Sequence, residues 1–130
     1  MKIAVFMGGI SSEREVSLNS GKAILESLLK QGYDAYGIDV TKENLVSAFI
    51  ENEYDFAYLA FHGGFGEDGR VQGLLDMLGK PYTGSGAEAS GIAMDKIITK
   101  KLAESAGVRI AKNYDKVADI DSYPVVIKPA

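Results

Sequence analysis

The feature that most constrains the fold is a glycine pair, Gly8-Gly9, which lies between a predicted buried strand and a predicted helix. Residues 3–7 before the pair are all apolar, and residues 18–30 have helical periodicity. A strand, a tight glycine turn and a helix start form the first half of a βαβ unit. Glycines let the backbone turn sharply and let another molecule approach it closely. The unpaired N–H groups at the helix start favour a bound anion or carboxylate there.

Two glutamates at this junction have different predicted roles. Ser12 and Glu15 are three positions apart, which predicts a capping box in which Glu15 bonds only to the backbone. A capping box gives Glu13 no bond, and Glu13 is expected at the mouth of the sheet. Glu13 is therefore either a favourable charge in the first helical turn or a ligand-binding group, and the spacing leaves both interpretations open.

Strands that alternate with helices predict a Rossmann-like parallel α/β sheet of about four strands flanked by helices. The predicted strands of this sheet are residues 2–7, 34–40, 54–61 and 81–83. The predicted helices are residues 18–30, 41–50, 70–78, 87–94 and 95–105, with a bend near Asp95. Two more candidate strands, residues 108–111 and 125–128, follow a change in character of the chain. We expect one domain over residues 1–94 and the start of a second over residues 95–130.

The composition excludes several classes of protein and site. The 130 residues are 46% hydrophobic, enough for a compact core, and a net charge of -4 argues against a nucleic-acid partner. The absence of cysteine excludes disulfides and thiolate metal sites, and a single histidine excludes an all-histidine zinc site within one chain. The sequence begins directly with a strand and has no signal-peptide pattern or long apolar span. We therefore expect a cytoplasmic protein with no membrane partner.

Three glycine-rich loops are expected to meet at the carboxyl ends of the strands, where parallel α/β sheets bind ligands. They are residues 8–13, 62–68 and 83–86. His62 is either a loop histidine bonded to the backbone or a donor to an anion or a developing oxyanion. Packing does not explain why so many glycines surround His62, and this favours a role for His62 as a donor to an anion. The adjacent Glu67 and Asp68 are weak evidence for a metal, and helix capping at Arg70 explains them better.

Other residues have weaker signals. Residues 84–89 match the dinucleotide fingerprint G-x-G-x-x-A, but they do not follow the first strand, so we interpret them as a tight turn. Lys96 lies beside the predicted bend, where it would point towards a phosphate. Lys128 lies in a predicted apolar strand, where a lysine requires either an edge position or an anionic partner.

Four ordered motifs together resemble the D-alanine–D-alanine ligase family of ATP-grasp enzymes. The motifs are GGISSEREVS at residues 8–17, HGGFGEDG at 62–69, PYTGSG at 81–86 and MDK at 94–96. The resemblance covers the whole chain, and PVVIKP at 124–129 is similar to the first strand of the family's ATP-grasp region. The chain thus resembles the N-terminal substrate domain of such a ligase, with the beginning of the next domain attached.

The resemblance implies the ATP-dependent joining of two D-alanines for peptidoglycan synthesis through an acylphosphate. Glu13 matches the glutamate that holds the ammonium group of the first D-alanine, and His62 matches the histidine beside the reacting carboxylate. Ser12 and Gly63 are expected at the same substrate site. Lys96 and Lys128 match two lysines that contact the ATP phosphates, as the resemblance implies.

The same resemblance implies that the Mg²⁺ ligands, the adenine pocket and a phosphoryl-stabilising arginine belong to a later part of the family enzyme. We therefore expect no metal ligands among these residues and no catalysis by this polypeptide alone. A homodimer formed through this domain is also implied. Two alternatives stay open: a ligase that joins D-alanine to D-lactate or D-serine, and a Rossmann-like module for nucleotide binding or dimerisation. The loops around Glu13 and His62 argue against the module, because a dinucleotide site does not need them.

Overall fold

The computed structural model describes residues 1–114 and 116–128. Asp115, Pro129 and Ala130 lie outside the described residues, so the last positions of the predicted ATP-grasp segment are not covered. The chain divides into two units, Met1–Gly91 and Ile92–Ala130. Within the described ranges, no helix combines the length and the apolar character needed to cross a bilayer.

The first unit is built on three parallel strands. β1 (Lys2–Gly8) lies in the centre, between β2 (Asp34–Val40) and β3 (Phe56–Leu59). The central position accounts for the apolar sequence of β1, since its residues 3–7 are at most 5% exposed. β2 lies at an edge of the sheet, which agrees with its more polar sequence. The α/β class with a parallel sheet is confirmed.

The predicted fourth strand at residues 81–83 is reduced to one isolated bridge between Ala57 and Tyr82. The Ala57 N–H donates to the Pro81 carbonyl at 2.9 Å, and the Thr83 N–H donates to the Ala57 carbonyl at 3.1 Å. Pro81 has no N–H with which to extend the ladder in the other direction. The sheet therefore has three strands and a single bridged residue in place of the fourth.

Five helices are described across the two units. They are α1 (Arg14–Lys30), α2 (Ser47–Ile50), α3 (Arg70–Met77), α4 (Ala87–Met94) and α5 (Lys96–Ser105), with short 3₁₀ turns at Gly64–Gly66 and Val117–Asp119. The predicted helix 41–50 is much shorter in the structure. The Thr41 N–H donates to the Asn44 side chain at 2.6 Å, so Thr41 opens a turn and does not cap the helix.

The sheet buries apolar side chains on both faces. On one face Phe6 stacks on Phe49, with ring centroids 4.5 Å apart, and the cluster extends to Leu75. On the other face Val5 and Met7 pack under α1. These contacts place a hydrophobic layer on each side of the central strand.

The apolar periodicity of the helix predicts an inward face made of Val16, Ala23, Ile24 and Leu28, and the structure agrees with only part of it. Ile24 and Leu28 pack against the core, whereas Val16 is 49% exposed and Ala23 is also exposed. The fully covered positions are Ser17 and Gly21. A Cβ on Gly21 would lie 2.5 Å from Met7 Cβ, so the helix backbone lies very close to the strand. Small residues at these two positions permit that approach.

The helical chain breaks at Asp95 in the second unit, which confirms the predicted bend. Asp95 has an extended backbone, and its carboxylate accepts hydrogen bonds from the N–H groups of Ile97 and Ile98, both at 2.9 Å. The strands predicted at 108–111 and 125–128 are wrong, because neither described segment forms a strand. Val126 and Ile127 are 78% and 90% exposed, and a strand without a neighbour has no ladder to stabilise it.

Candidate functional site

A buried serine separates the ends of β1 and β3. The Ala60 N–H donates to the Phe6 carbonyl at 2.9 Å, so the next bond of a regular parallel ladder would join the Gly8 N–H to the Ala60 carbonyl. The Ser17 hydroxyl stands between these two groups instead. It accepts from the Gly8 N–H at 2.9 Å and donates to the Ala60 carbonyl at 2.8 Å. The two strands therefore open at their carboxyl ends, where the loops begin.

The loop after β1 is held to the loop after β3 by Ser11. The Ser11 hydroxyl donates to the His62 carbonyl at 2.6 Å and accepts from the Glu13 N–H at 3.1 Å. Glu13 is the residue before the first turn of α1, and its side chain makes no capping bond. Its carboxylate lies so close to Gly63 that a Cβ at Gly63 would overlap it. The missing side chain at Gly63 thus leaves room for the carboxylate of Glu13.

The predicted capping box of Ser12 and Glu15 is wrong. The helix begins at Arg14, so Glu13 occupies the N-cap and Glu15 falls one position too early for the box. Ser12 and Glu15 are both exposed, and among the described residues neither side chain has a hydrogen-bond partner. The side chain that accepts a hydrogen bond from the backbone here is that of Ser11, which bonds to the Glu13 N–H. Glu13 is left with an exposed carboxylate at the start of the helix.

His62 is partly buried at the end of the third strand segment, and its ring is bonded to a side chain. The distance from His62 Nε2 to Ser20 Oγ is 3.0 Å. Ser20 is not among the predicted site residues, although its position in the helix carries a signal. Ser17 and Ser20 are three positions apart and therefore lie on one face of α1. Both serines are used at the carboxyl end of the sheet.

The acidic pair after His62 serves the local backbone. The Gly63 N–H donates to Glu67 Oε2 at 2.6 Å, and the Arg70 N–H donates to Asp68 Oδ1 at 3.1 Å. Asp68 thus bonds to the first N–H of α3, while the N-cap residue is Gly69 and has no side-chain capping bond. The predicted capping is met only by this one bond of Asp68 and not by Glu67. Within residues 1–114 and 116–128, no group of three acidic, histidine or cysteine side chains has the arrangement of a metal site.

An arginine that the sequence argument did not single out ties the glycine turn to the edge strand. Arg14 Nη2 donates to Asp39 Oδ2 at 2.7 Å, while Nη1 donates to the carbonyls of Val40 at 2.8 Å and Gly9 at 3.2 Å. The hydrogen bond to the Asp39 carboxylate raises the pKa of the Arg14 guanidinium further above its usual value. Gly8 and Gly9 both have positive φ, 86° and 88°, which explains the glycine pair.

The third predicted loop lies beside the second. Thr83 Oγ1 accepts from the Leu59 N–H at 2.9 Å, at the end of β3. A Cβ at Gly69 would overlap the Ala87 carbonyl, so the start of α4 contacts the loop before α3. Of the predicted substrate residues, Glu13 lies against Gly63, which is the residue after His62, and Ser12 is exposed on the same loop as Glu13.

The two predicted phosphate-binding lysines belong to the second unit. Lys96 is the first residue of α5, and Lys128 is the last described residue; both are exposed. Among the described residues no strand forms around Lys128, so this lysine is exposed and does not require a buried anionic partner. The predicted role of both lysines at ATP rests on the sequence resemblance.

Comparison with known proteins gives a consistent result. The family model described as the D-ala D-ala ligase N-terminus matches residues 2–47 and 45–85. A protein of Fusobacterium nucleatum named D-alanine–D-alanine ligase is 60% identical over 129 residues, which are 99% of this chain and 45% of that protein. A protein of the same name from Citrifermentans bemidjiense is 52% identical over 134 residues, covering 99% of this chain and 44% of its own length. This chain therefore spans less than half the length of these relatives.

Solved structures agree with the sequence relatives. The crystal structure of D-alanine–D-alanine ligase from Bacillus anthracis has a TM-score of 0.73 and 45% identity, and it covers 82% of this chain and 35% of its own. A second structure of that ligase, complexed with ATP, gives the same values.

Proposed function

Since the chain belongs to the D-alanine–D-alanine ligase N-terminal family, we propose that it forms the first D-alanine site of an ATP-dependent ligase that joins two D-alanines for peptidoglycan synthesis. The names of the relatives support the reaction, and the ATP complex of one related ligase supports the nucleotide. Because this chain spans about 45% of such relatives, the remaining catalytic groups are proposed to lie in the rest of a longer ligase.

The observation that carries the proposal is the position of the Glu13 carboxylate against Gly63, the residue that follows His62 in the chain. Two loops from different strands meet here. The Ser11 hydroxyl joins them by its hydrogen bond to the His62 carbonyl, and it also accepts a hydrogen bond from the Glu13 N–H within its own loop. An α-amino acid carries its ammonium and its carboxylate group on the same carbon atom. Glu13 offers the charge that binds an ammonium, and the His62 imidazole offers a hydrogen-bond donor to a carboxylate oxygen. Ser12 and Gly63 complete the proposed substrate contacts.

The proposed reaction transfers the γ-phosphoryl group of ATP to a carboxylate oxygen of the first D-alanine, which gives an acylphosphate and ADP. The amino group of the second D-alanine then attacks the acyl carbon, and inorganic phosphate leaves as the C–O bond breaks. Glu13 orients the first D-alanine through its ammonium group. His62 donates a hydrogen bond to the reacting carboxylate, where charge changes as the acylphosphate forms.

Lys96 and Lys128 are proposed to contact the ATP phosphates, since both are exposed cations. Mg²⁺ ligands are proposed to lie in the rest of the longer ligase. Residues 1–94 are proposed as the substrate domain, and residues 95–130 as the linking helix and the start of the ATP-grasp domain. A cytoplasmic homodimer is the proposed form of the whole protein.

The test measures ADP release by the intact ligase that carries this sequence, and by this chain mixed with a separately produced remainder. Release that requires D-alanine is expected from the intact protein, and no release is expected from this chain alone. Glu13→Gln should abolish D-alanine-dependent release. Glu15→Gln is the matched control, because Glu15 is an exposed glutamate two positions away with no partner in the described part of the chain.

Two results would overturn the proposal. Equal rates for Glu13→Gln and the unchanged protein would remove Glu13 from the substrate site. An intact protein that releases no ADP with D-alanine would favour a Rossmann-like binding module instead.

A further inference from the structure

We propose that Ser20 is a positioning residue for His62. Its hydroxyl donates a hydrogen bond to Nε2, which keeps the proton of the neutral imidazole on Nδ1 and leaves Nδ1–H as the donor for the substrate. The identity of that substrate, D-alanine, rests on the proposed function. The arrangement of Ser20 and His62 itself rests only on the contacts of the first unit.

The distance fits either direction of the bond, and we assign Ser20 as the donor from the partners of the two side chains. Ser20 Oγ lies 3.0 Å from His62 Nε2, and both residues are partly buried. Among residues 1–114 and 116–128, the Ser20 hydroxyl has no second acceptor, not even the carbonyl four residues earlier in α1. A hydroxyl carries one proton, and a neutral imidazole has one donor nitrogen and one acceptor nitrogen. When Ser20 donates to Nε2, the ring proton must be on Nδ1.

The peptide group that follows His62 is already fixed at both its carbonyl and its N–H. The Ser11 hydroxyl donates to the His62 carbonyl at 2.6 Å, and the next N–H, that of Gly63, donates to the Glu67 carboxylate at 2.6 Å. With this peptide held, the main remaining freedom of the imidazole is rotation of its side chain. The bond to Ser20 removes that rotation. Ser20 therefore determines both the orientation of the ring and the nitrogen that carries the proton.

The result suits a zwitterionic substrate. The charged groups close to the His62 segment are the carboxylates of Glu13, which lies against Gly63, and of Glu67. Glu67 is occupied by the Gly63 N–H, whereas Glu13 makes no capping bond. An amino acid with its ammonium group on Glu13 would present its carboxylate to Nδ1–H. A proton on Nε2 would be directed at Ser20 and would leave Nδ1 as an acceptor, which repels a carboxylate.

The first experiment uses the fact that His62 is the only histidine. Long-range ¹H–¹⁵N spectra of the chain, recorded at a pH where imidazole is neutral, assign the ring nitrogens without ambiguity. We expect the proton on Nδ1 in the unchanged chain, a shift of the proton to Nε2 in Ser20→Ala, and its return to Nδ1 in Ser20→Thr, which restores a hydroxyl. Ser27→Ala is the matched control, since Ser27 is an exposed serine on the same helix and should leave the spectrum unchanged.

A proton on Nε2 in the unchanged chain, or the same tautomer in Ser20→Ala, would overturn the proposal. In the intact ligase, Ser20→Ala should lower kcat by about 10- to 100-fold, as expected when a catalytic group loses its orientation, with an unchanged KM for ATP. Ser20→Thr should recover most of kcat. An unchanged kcat would overturn the role in the reaction. If the intact protein does not join D-alanine at all while the tautomer still follows Ser20, the proposed function fails and the positioning of His62 stands.

Discussion

Removal of the Ser17 hydroxyl should destabilise the chain far more than the loss of one small group suggests. Ser17 is fully buried, and its hydroxyl is bonded both to the Gly8 N–H and to the Ala60 carbonyl. Ser17→Ala removes both bonds and leaves two buried backbone groups without partners. Each such group costs about 1–3 kcal/mol, so we expect a loss of about 2–6 kcal/mol in the free energy of unfolding.

That loss is a large fraction of the free energy of unfolding of a typical domain, which is about 5–15 kcal/mol. Urea unfolding followed by far-ultraviolet circular dichroism measures it, and this method suits a chain without tryptophan. Ser27→Ala, on the exposed part of the same helix, should change the free energy by less than about 0.5 kcal/mol. A similarly small change for Ser17→Ala would refute the reasoning, because it would mean that the Gly8 N–H and the Ala60 carbonyl bond directly once the hydroxyl is gone.

Two further predictions concern packing and ionisation. Gly21→Ala should destabilise the chain by about 1–3 kcal/mol, since the new Cβ would lie 2.5 Å from Met7 Cβ. The control Gly73→Ala in α3, whose Cβ would have its nearest neighbour at 3.8 Å, should stabilise the chain by up to about 1 kcal/mol. Equal effects of the two substitutions in the same unfolding assay would contradict the close approach of α1 to the sheet. Burial raises the pKa of the Tyr54 phenol, and burial also raises the pKa values of Tyr36 and Tyr82. The folded state then retains protons that the unfolded state releases, so the free energy of unfolding should fall as the pH rises above about 10; Tyr54→Phe should reduce this fall, and a pH-independent stability there would contradict the shift.

The strands with strong local signals were predictable. β1 has an unbroken apolar sequence because it is the central strand, and the polar sequence of β2 marks an edge. The family resemblance, carried by four ordered motifs, is confirmed by the family model and by the relatives. These signals are local in sequence, or combine several local patterns, so they can be recognised without knowledge of tertiary contacts.

The errors arose where tertiary contacts override local patterns. Ser12 and Glu15 fit a capping box, yet Ser11 bonds to the His62 carbonyl and the helix starts two residues after Ser12. Val16 fits an apolar stripe, but the close approach of α1 selects Ser17 and Gly21 for the covered face. The hydrogen bond between Ser20 and His62 joins residues 42 positions apart. The helical spacing places Ser20 on the face of Ser17, but no local rule predicts His62 as its partner.

The three hydrogen bonds of Arg14 affect how a ligand would arrive at the site. They fix the glycine turn to the end of β2 and thereby order the residues that lead to Glu13. The entropy of this loop is therefore lost when the chain folds, before any ligand is present. Association at Glu13 should then proceed in one kinetic step, with a rate that increases linearly with ligand concentration. Arg14→Ala would transfer the ordering to the binding event and lower the affinity without removing any group that touches the ligand.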